Sequence, residues 1–311
     1  MRFVALSLLM LLSSCNEIKK PDWELVTDAA AFGPRDTAQP IAFAGHIWLS
    51  NGYFDSQRPV IRDLWRSEVG EETGSKWHKV LDETPFDHHS AVAVLNGKIY
   101  AAKNTVWRSD DGIKWEKLTD QGPTQFADAL PMMRAFKGRL WFFWRDEIAS
   151  SADGITWRAE GKGRYGPRSS YGVIANKDWI YVLGGALHNE NNPKEKSYPT
   201  QTSVNDVWRS ADGKVWTRLV KHAGWSPRKW PGVVAHNNKL YLFGGFDNLV
   251  GDNIGELWES EDGANWKRVV TDHEPSSRHW PSLFSSGEYL ILAAGNGWPV
   301  VNDVWKIKLA E

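Results

Sequence analysis

Short apolar runs, each closed by a turn rich in Asp, Asn or Gly, follow one another along the chain, and none has helical periodicity. The run at residues 107–115, Trp-Arg-Ser-Asp-Asp-Gly-Ile-Lys-Trp, recurs at 208–216 and 258–266. Residues 149–157 keep its Ser-x-Asp-Gly-x-x-Trp part, and residues 65–77 form a longer copy without the Asp-Gly. Each copy predicts two strands joined by a tight turn, because Asp caps the turn and Gly adopts a positive φ without steric cost.

A second pair of apolar runs precedes these copies. Residues 167–175 and 179–185 give the clearest example, since a turn at 176–178 separates them and the second run ends in Gly-Gly. Similar pairs lie at 34–52, 87–103, 128–144, 227–245 and 277–295. Four strands in each of six units, with no helical segment, predict an all-β fold, a six-bladed β-propeller of four-stranded antiparallel blades.

The sixth unit lacks a fourth strand, because no further apolar run follows residues 304–307. A counterpart lies near the start of the chain, where Trp23-Glu-Leu-Val has the form of the fourth strands at 115–118 and 266–269. We therefore expect residues 22–27 to complete the last blade, so that no free sheet edge remains between the first and last blades. The propeller is then a single domain over residues 22–309.

The first residues have the composition of an export signal. The apolar residues 3–12 are too few to span a bilayer as a helix. The Leu-Ser-Ser-Cys15 that follows is similar to the lipobox of bacterial lipoproteins. The resemblance implies a signal peptide at 1–14, a lipidated Cys15 in a linker at 15–21 and, with Asn16 after the cysteine, an anchor in the outer membrane on its periplasmic or surface side. An ordinary secretory signal with an incidental cysteine is the alternative.

Composition narrows the function. The chain has 37 Lys and Arg against 38 Asp and Glu, a net charge of −1, which argues against binding nucleic acid or binding a membrane through a basic surface. Its single cysteine excludes an intrachain disulfide and a zinc site with two thiolates. Of its 19 tryptophans, most recur at third- and fourth-strand positions of the units, where packing between sheets explains them.

The double-glycine strand ends, the Asn-Asp-Val-Trp segments at 205–208 and 302–305 and the six units resemble bacterial kelch-type propellers, the superfold of the galactose oxidase central domain. The Ser-x-Asp-Gly-x-x-Trp turns are similar to the Asp-box of sialidase-like propellers, although one residue shorter. The resemblance covers residues 22–309 and implies the fold. It implies no single activity, because both families include binding proteins and enzymes.

One residue at the mouth of each innermost strand stands thirteen positions before the residue that aligns with Trp48 of the first unit. The six residues are Arg35, Asp87, Asp128, Arg168, Arg228 and Arg278. Kelch-type propellers often place an arginine here, and the resemblance implies that these arginines line a central pocket. Converging guanidinium groups repel one another unless an anion or the two aspartates compensate them, so we expect an anionic small molecule or acidic glycan as ligand. In the alternative, each arginine bonds backbone carbonyls of the adjacent blade.

Further aromatic residues cluster near these arginines in the sequence. They are Trp225, Trp230, Trp280 and Trp298, with Tyr165 and Tyr171 beside Arg168. Flat apolar faces beside cationic donors suit a sugar ring, whose faces are apolar and whose edges form hydrogen bonds. Packing between blades is the alternative for these side chains.

Acid–base candidates lie at the same end of the predicted propeller. They are Asp87, His88, Asp128 and His279. The aspartates either act on a bound substrate or neutralise the arginines. No nucleophile can be assigned, and the Arg-Ile-Pro motif of sialidase-like enzymes is absent at Arg35. We expect no cofactor, because the copper chemistry of galactose oxidase needs a Tyr–Cys crosslink and residues 22–309 contain no cysteine. We also expect no metal at His88 and His89, because adjacent residues on a strand point to opposite faces.

The long loops between second and third strands share the end of the propeller where these candidates lie, and loops on a rigid scaffold often carry binding residues. They span residues 53–62, 186–205, 246–255 and 296–302. Three functions remain open from the sequence. The first is a membrane-anchored module that binds an acidic carbohydrate, the second is an epimerase, lyase or glycosidase acting on an acidic sugar, and the third is a scaffold with a protein partner on the long-loop face.

Overall fold

A computed structural model describes residues 20–54, 60–124, 130–188 and 200–309. The expected signal peptide, Cys15 and Asp128 lie outside these residues. Every regular element within them is a β-strand. In this part of the chain no helix has the length and apolar character needed to cross a membrane.

Six four-stranded antiparallel sheets, numbered here in chain order, account for most of the described residues. Sheet 1 consists of Gln39–Phe43, His46–Gly52, Ile61–Glu68 and His78–Leu81. Sheet 2 consists of Ala91–Leu95, Lys98–Ala102, Val106–Ser109 and Glu116–Thr119. Sheet 3 consists of Met132–Phe136, Arg139–Trp144, Glu147–Ser151 and Arg158–Lys162. Sheet 4 consists of Gly172–Ala175, Ile180–Leu183, Val207–Ser210 and Thr217–Val220. Sheet 5 consists of Gly232–His236, Lys239–Phe243, Leu257–Ser260 and Lys267–Val269. Sheet 6 consists of Ser282–Ser286, Tyr289–Asn296, Val300–Lys308 and Trp23–Thr27. Small sheets in the loops consist of Arg168–Ser169, Ala186–His188 and Gln201–Ser203, and of Phe246–Asp247 and Asp252–Asn253.

The first strand of each sheet packs against the first strands of two other sheets, and the contacts return from sheet 6 to sheet 1. Sheets arranged around a common axis in this way form a β-propeller. Within the described residues, each of the six hydrophobic clusters combines buried side chains from two adjacent sheets. The core is therefore divided into layers between sheets, and the axis is left to the innermost strands.

The strand Trp23–Thr27 pairs with the third strand of sheet 6, with Trp23 opposite Ile307 and Leu25 opposite Trp305. The Trp23 side chain is 4% exposed and contacts Phe243 of sheet 5 edge-on, with ring centroids 5.7 Å apart. A strand from one end of the chain is thus built into the sheet formed by the other end.

The repeated turn locks neighbouring sheets together. Asp111 accepts the amides of Ile113 and Lys114 at 2.8 Å, and Ser109 accepts the amide of Gly112 at 2.8 Å. Gly112 has a φ of +76°, and a Cβ there would lie 2.6 Å from the Trp48 ring of sheet 1. The prediction that the Ser and Asp of this motif hold the turn is confirmed, and the glycine is also needed because the preceding sheet packs onto it.

We expect Trp23→Ala to destabilise the fold by about 3–5 kcal/mol, since it removes a buried indole from a packed interface. Removal of residues 22–30 should abolish the cooperative unfolding transition. Leu25→Ala is the matched control, because Leu25 lies on the same strand but is 46% exposed. Thermal and denaturant unfolding measure both effects, and an unchanged transition in the truncated chain would show that this strand does not support the fold.

Candidate functional site

The four arginines predicted at the mouth are buried and bonded within the protein. Arg278 donates from Nη1 and Nη2 to the two carboxylate oxygens of Asp303, at 2.5 and 2.8 Å. It also donates from Nη1 to the Ala294 carbonyl at 3.1 Å and from Nε to the Ser276 carbonyl at 3.0 Å. The other three pairs are Arg35 with Asp63, Arg168 with Asp206 and Arg228 with Glu256. Burial of each cation is tolerated because a carboxylate neutralises it and carbonyl groups accept its remaining N–H groups.

The backbone at these arginines joins one sheet to the next. The amide of Gly245, at the end of a sheet 5 strand, donates to the Arg278 carbonyl at 2.9 Å, and the amide of Gly185 in sheet 4 donates to the Arg228 carbonyl at 2.9 Å. Gly245 has a φ of +113°, and a Cβ there would lie 2.8 Å from the Lys229 carbonyl. We call the buried arginine with its carboxylate the arginine clamp; at Arg35, Arg228 and Arg278 a glycine amide of the preceding sheet also donates to the arginine carbonyl.

The clamps contradict the expectation that these arginines line an open pocket. Arg35, Arg168, Arg228 and Arg278 are at most 1% exposed. The structure instead agrees with the alternative in which they bond backbone carbonyls, except that those carbonyls belong to their own sheet and to the segment leading into it.

A sequence signal for the clamps exists and was missed. In each sheet with a clamp, the acidic partner stands two residues before the third-strand tryptophan, and in sheets 4–6 it also accepts that indole N–H, at 2.7–2.9 Å. The four pairs of residues are Asp63 and Trp65, Asp206 and Trp208, Glu256 and Trp258, and Asp303 and Trp305. Sheet 2, which has Asp87 in place of the arginine, has Thr105 in place of the acid.

Two of the aromatic residues expected to contact a ligand belong to the core. Trp225 is 1% exposed and contacts Trp266 edge-on, with ring centroids 6.1 Å apart. Tyr171 is 4% exposed and packs against the buried Tyr165, with ring centroids 6.0 Å apart. For these residues the packing alternative is the correct one, because their rings fill layers between sheets.

An aromatic surface remains at the mouth of sheets 5 and 6. The half-buried Trp230 and Trp280 stack, with centroids 5.8 Å apart and planes 20° from parallel. Both have a positive φ, and the Trp280 amide donates to the Trp230 carbonyl at 2.7 Å. Trp298 is 62% exposed, and Phe246 lies 6.1 Å from Trp230. We call these four residues the aromatic mouth.

A cavity of about 80 Å³ lies at the inner strands beside the two stacked tryptophans and is also lined by Tyr171 and Arg134. Arg134 donates from Nε to the Val173 carbonyl at 2.8 Å and from Nη1 to the Met133 carbonyl at 2.7 Å. No carboxylate in the described ranges forms an ion pair with it. Burial lowers the pKa of Arg134 to about 10, so the side chain remains a cation at neutral pH. A cavity of this volume has room for only a few water molecules, so a larger ligand would have to bind at its opening.

The residue that follows each clamp arginine forms a second set of groups at the mouth, which the sequence analysis largely missed. These residues are Asp36, Ser169, Lys229 and His279, of which only His279 was a candidate. Asp36 and His279 are 5% exposed and Lys229 is fully buried. The Lys229 ammonium lies 4.4 Å from the centre of the Trp230 ring and 5.5 Å from that of Phe246. The missed signal is the position directly after the arginine.

Two asparagines connect His279 of sheet 6 to Asp36 of sheet 1 by hydrogen bonds, and one of them lies in a loop of sheet 5. His279 Nδ1 lies 2.7 Å from Asn253 Oδ1, and Asn253 Nδ2 donates to the Asn296 carbonyl at 2.8 Å. Asn296 Nδ2 donates to Asp36 Oδ2 at 3.1 Å. The other carboxylate oxygen of Asp36 is buried and has no hydrogen-bond partner in the described part of the chain. We call these four residues the polar belt.

Burial shifts the protonation of both ends of the polar belt. It raises the pKa of Asp36 to about 6, although the Asn296 amide opposes the shift. It lowers the pKa of His279 to about 4, an effect that the nearby Lys229 ammonium reinforces. The belt thus holds a neutral imidazole and a carboxylic acid that titrates close to neutral pH, the property of a potential proton donor.

The second predicted cluster, Asp87, His88 and His89, lies on a turn and not on a strand. The two imidazole rings are therefore side by side, with centroids 3.8 Å apart, and the strand argument that separated them was wrong. Their donor atoms and an Asp87 oxygen lie within 4.8 Å of one another. The buried Lys103 ammonium is 3.2 Å from that carboxylate, so the charge of Asp87 is already neutralised by a cation of the protein.

Comparison with known proteins identifies a fold and a family. The family profile described as the DUF6242 beta propeller domain matches residues 23–311. Among solved structures, 439 chains match, and the structure of YjhT covers 91% of this chain and 100% of its own, with a TM-score of 0.66 and 11% sequence identity. An identity this low shows a common fold and nothing about activity. No curated protein matches the sequence.

We expect Arg278→Ala to destabilise the protein by about 3–5 kcal/mol, because it leaves the Asp303 carboxylate and several carbonyls without their partner. Arg218→Ala, which removes an exposed guanidinium lying 5.4 Å from the Trp208 ring, is the matched control and should cost under about 1 kcal/mol. Chemical denaturation measures both. Equal, small losses would show that the clamp does not stabilise the propeller.

Asp36 should make stability fall as pH rises. Its folded pKa lies above its unfolded value, so the folded state holds the proton more tightly and loses that advantage between about pH 4 and pH 6. His279, whose folded pKa is lowered, has the opposite effect over a similar range, so variants are needed to separate the two. Relative to the wild type, Asp36→Asn should therefore gain about 2 kcal/mol of unfolding free energy from pH 4 to pH 7.

The control for this pH effect is Asp178→Asn, at an exposed turn position where the carboxylate has no ion pair with a described residue. Its stability relative to the wild type should follow no such trend. Denaturant unfolding at several pH values gives both differences. A difference between Asp36→Asn and the wild type that does not change with pH would mean that this carboxyl is ionised at pH 4.

Proposed function

The chain belongs to the family of the DUF6242 beta propeller domain, and from that premise we propose that it binds an anionic ligand, an acidic carbohydrate, at the mouth of the propeller. The observation that carries the proposal is the pairing of the aromatic mouth with two cations. Lys229 lies beneath the aromatic rings, and Arg134 lines the cavity beside them. The clamp arginines position this surface but do not contact the ligand.

The aromatic mouth supports a sugar as ligand. The faces of pyranose rings carry C–H groups that pack on indole rings, while their hydroxyl groups require hydrogen-bond partners at the rim. Trp298 is the most exposed tryptophan face, at 62%, and the half-buried Trp280 and Trp230 extend the surface toward the axis. Asn253 and His279 supply polar groups beneath it.

The positive charge at the mouth supports a ligand that carries an acidic group. The Arg134 guanidinium is held by two carbonyl groups and by no carboxylate of the described residues. A cation that is partly removed from water and has no carboxylate partner in the described ranges attracts an anion strongly, and a guanidinium does so with directed N–H groups. A carboxylate or sulfate group on a sugar would supply that charge.

We also infer the setting of the site. The six sheets are taken as kelch-type blades, with Trp23–Thr27 closing the ring, on the basis of the Gly-Gly strand ends and of the pairing of that strand with sheet 6. Lipidation of Cys15 would hold the domain at the outer membrane, since acyl chains anchor a protein through their buried methylene groups. No cofactor is part of the proposal.

An enzymatic function is the second candidate, and one observation favours it. Asp36 combines a pKa raised to about 6 with a carboxylate oxygen that has no partner in the described chain, at the edge of the same mouth. A carboxylic acid of this kind can donate a proton to a bound sugar, as an epimerase, lyase or glycosidase requires. If no small ligand binds, a protein partner on the long-loop face becomes the better interpretation.

The direct test is a screen of glucuronic, galacturonic and sialic acids and their oligosaccharides by thermal shift and tryptophan fluorescence. We expect an acidic sugar to raise the unfolding temperature and to change the emission. Trp298→Ala should weaken that binding at least about tenfold, since it removes a stacking face. Trp179→Ala, which lies at the opposite end of sheet 4, is the control and should bind normally.

Two results would decide against the proposal. If no acidic saccharide changes stability or emission, the mouth does not bind this class of ligand. If Trp298→Ala binds as tightly as the wild type, the ligand lies elsewhere. Analysis of the sugar after incubation separates binding from catalysis, because only an enzyme changes it.

A further inference from the structure

The polar belt determines which nitrogen of His279 carries the proton. The amide of Asn253 has one orientation that suits its surroundings, because its Nδ2 faces the Asn296 carbonyl at 2.8 Å and a carbonyl only accepts hydrogen bonds. The Asn253 oxygen therefore faces His279 Nδ1, at 2.7 Å, and only an N–H on Nδ1 makes this contact favourable.

A neutral imidazole protonated on Nδ1 has a lone pair on Nε2. The pKa of His279, lowered to about 4 by burial and by Lys229, keeps the ring neutral at physiological pH. The side chain is 5% exposed, and no residue of the described ranges forms a hydrogen bond with Nε2. The side chain thus offers one open acceptor at the mouth.

Three aromatic rings pack around the His279 imidazole. The imidazole centroid lies 5.0 Å from that of Trp230, 5.2 Å from that of Trp298 and 5.9 Å from that of Phe246. A group that reaches Nε2 between these rings loses water on its apolar sides, which makes a missing hydrogen bond costly. Such a site selects a ligand that places a donor beside an apolar face.

We propose that His279 is a specificity-determining residue whose Nε2 accepts a hydrogen bond from a ring hydroxyl of the bound sugar. The proposal rests on the proposed function and adds a requirement to it: the ligand must carry a hydroxyl next to the face that stacks on the indoles. An anion with a flat face and no hydroxyl fills the aromatic mouth without this bond. Asn253 acts as the positioning residue, because it holds the imidazole in the tautomer that accepts.

The tautomer is measured first, by ¹⁵N NMR of the histidine-labelled full domain at pH 7, with His279→Gln to assign the signals. We expect Nδ1 to be protonated and Nε2 to be bare. Addition of tri-galacturonic acid should move the Nε2 resonance toward the value of a hydrogen-bonded nitrogen. A proton on Nε2 in the free protein would overturn the proposal, whatever binds.

Binding of two probes tests the specificity. Tri-galacturonic acid has a carboxylate, apolar faces and ring hydroxyls, whereas benzoate has the carboxylate and a flat face only. We expect His279→Phe to weaken tri-galacturonic acid at least tenfold and to leave benzoate within twofold of the wild type. His279→Gln keeps an acceptor and should recover part of the loss, and circular dichroism establishes that each variant is folded.

The outcomes separate this inference from the proposed function. Suppose that both probes bind the wild type. If His279→Phe weakens both equally, or weakens neither of them, the inference fails and the binding site stands. If His279→Gln and His279→Phe lose the sugar equally, the acceptor is not what the sugar requires, and the inference again fails alone. If neither probe binds the wild type, the proposed function and the inference fail together.

Discussion

The mouth of this propeller depends on a buried cation that the protein neutralises itself. A guanidinium group has five N–H donors and a charge that is costly to remove from water, so it can be buried only where a carboxylate and several carbonyls meet it. Each clamp provides these groups, as the bonds of Arg278 to Asp303 and to two carbonyls show. The amide of Gly245, which donates to the Arg278 carbonyl, adds the preceding sheet to the same network. The same kind of bond joins sheet 4 to sheet 5 and sheet 6 to sheet 1 beside the axis.

This constraint explains where the variable chemistry lies. Because the arginine is held in place, the next residue can form a β-bridge: Lys229 pairs with Phe246 in a small sheet of a loop, and His279 pairs with Asn296 at the end of the second strand of sheet 6. The residue after that, which is Trp230 or Trp280 in sheets 5 and 6, has a positive φ and lies at the mouth. Substitutions at these two positions would change the surface of the mouth and leave the residues of the clamp in place. The aromatic mouth and the polar belt each take two of their four residues from these positions.

The sequence predicted the repeating parts of the structure well, because their causes are local. The Asp-Gly turn needs a capping side chain and a positive φ at fixed positions, and Trp23-Glu-Leu-Val could be matched to other fourth strands by its form alone. The arginines were located correctly, but their role was not, since the acid that neutralises each one is 25 to 38 residues away along the chain. The polar belt joins three sheets through Asn253, in a small sheet of a loop, and Asn296, at the end of the second strand of sheet 6, and these two positions share no sequence pattern. No periodic signal marks such contacts, and only the assembled fold brings them together.

The most direct test of this account is a crystal structure of the domain with tri-galacturonic acid. We predict that the sugar stacks on Trp298 and Trp280, that its carboxylate faces Arg134 or Lys229, and that all four clamp arginines keep their carboxylate partners. A sugar carboxylate bound to a clamp arginine in place of Asp303, or a sugar bound away from the mouth, would contradict it.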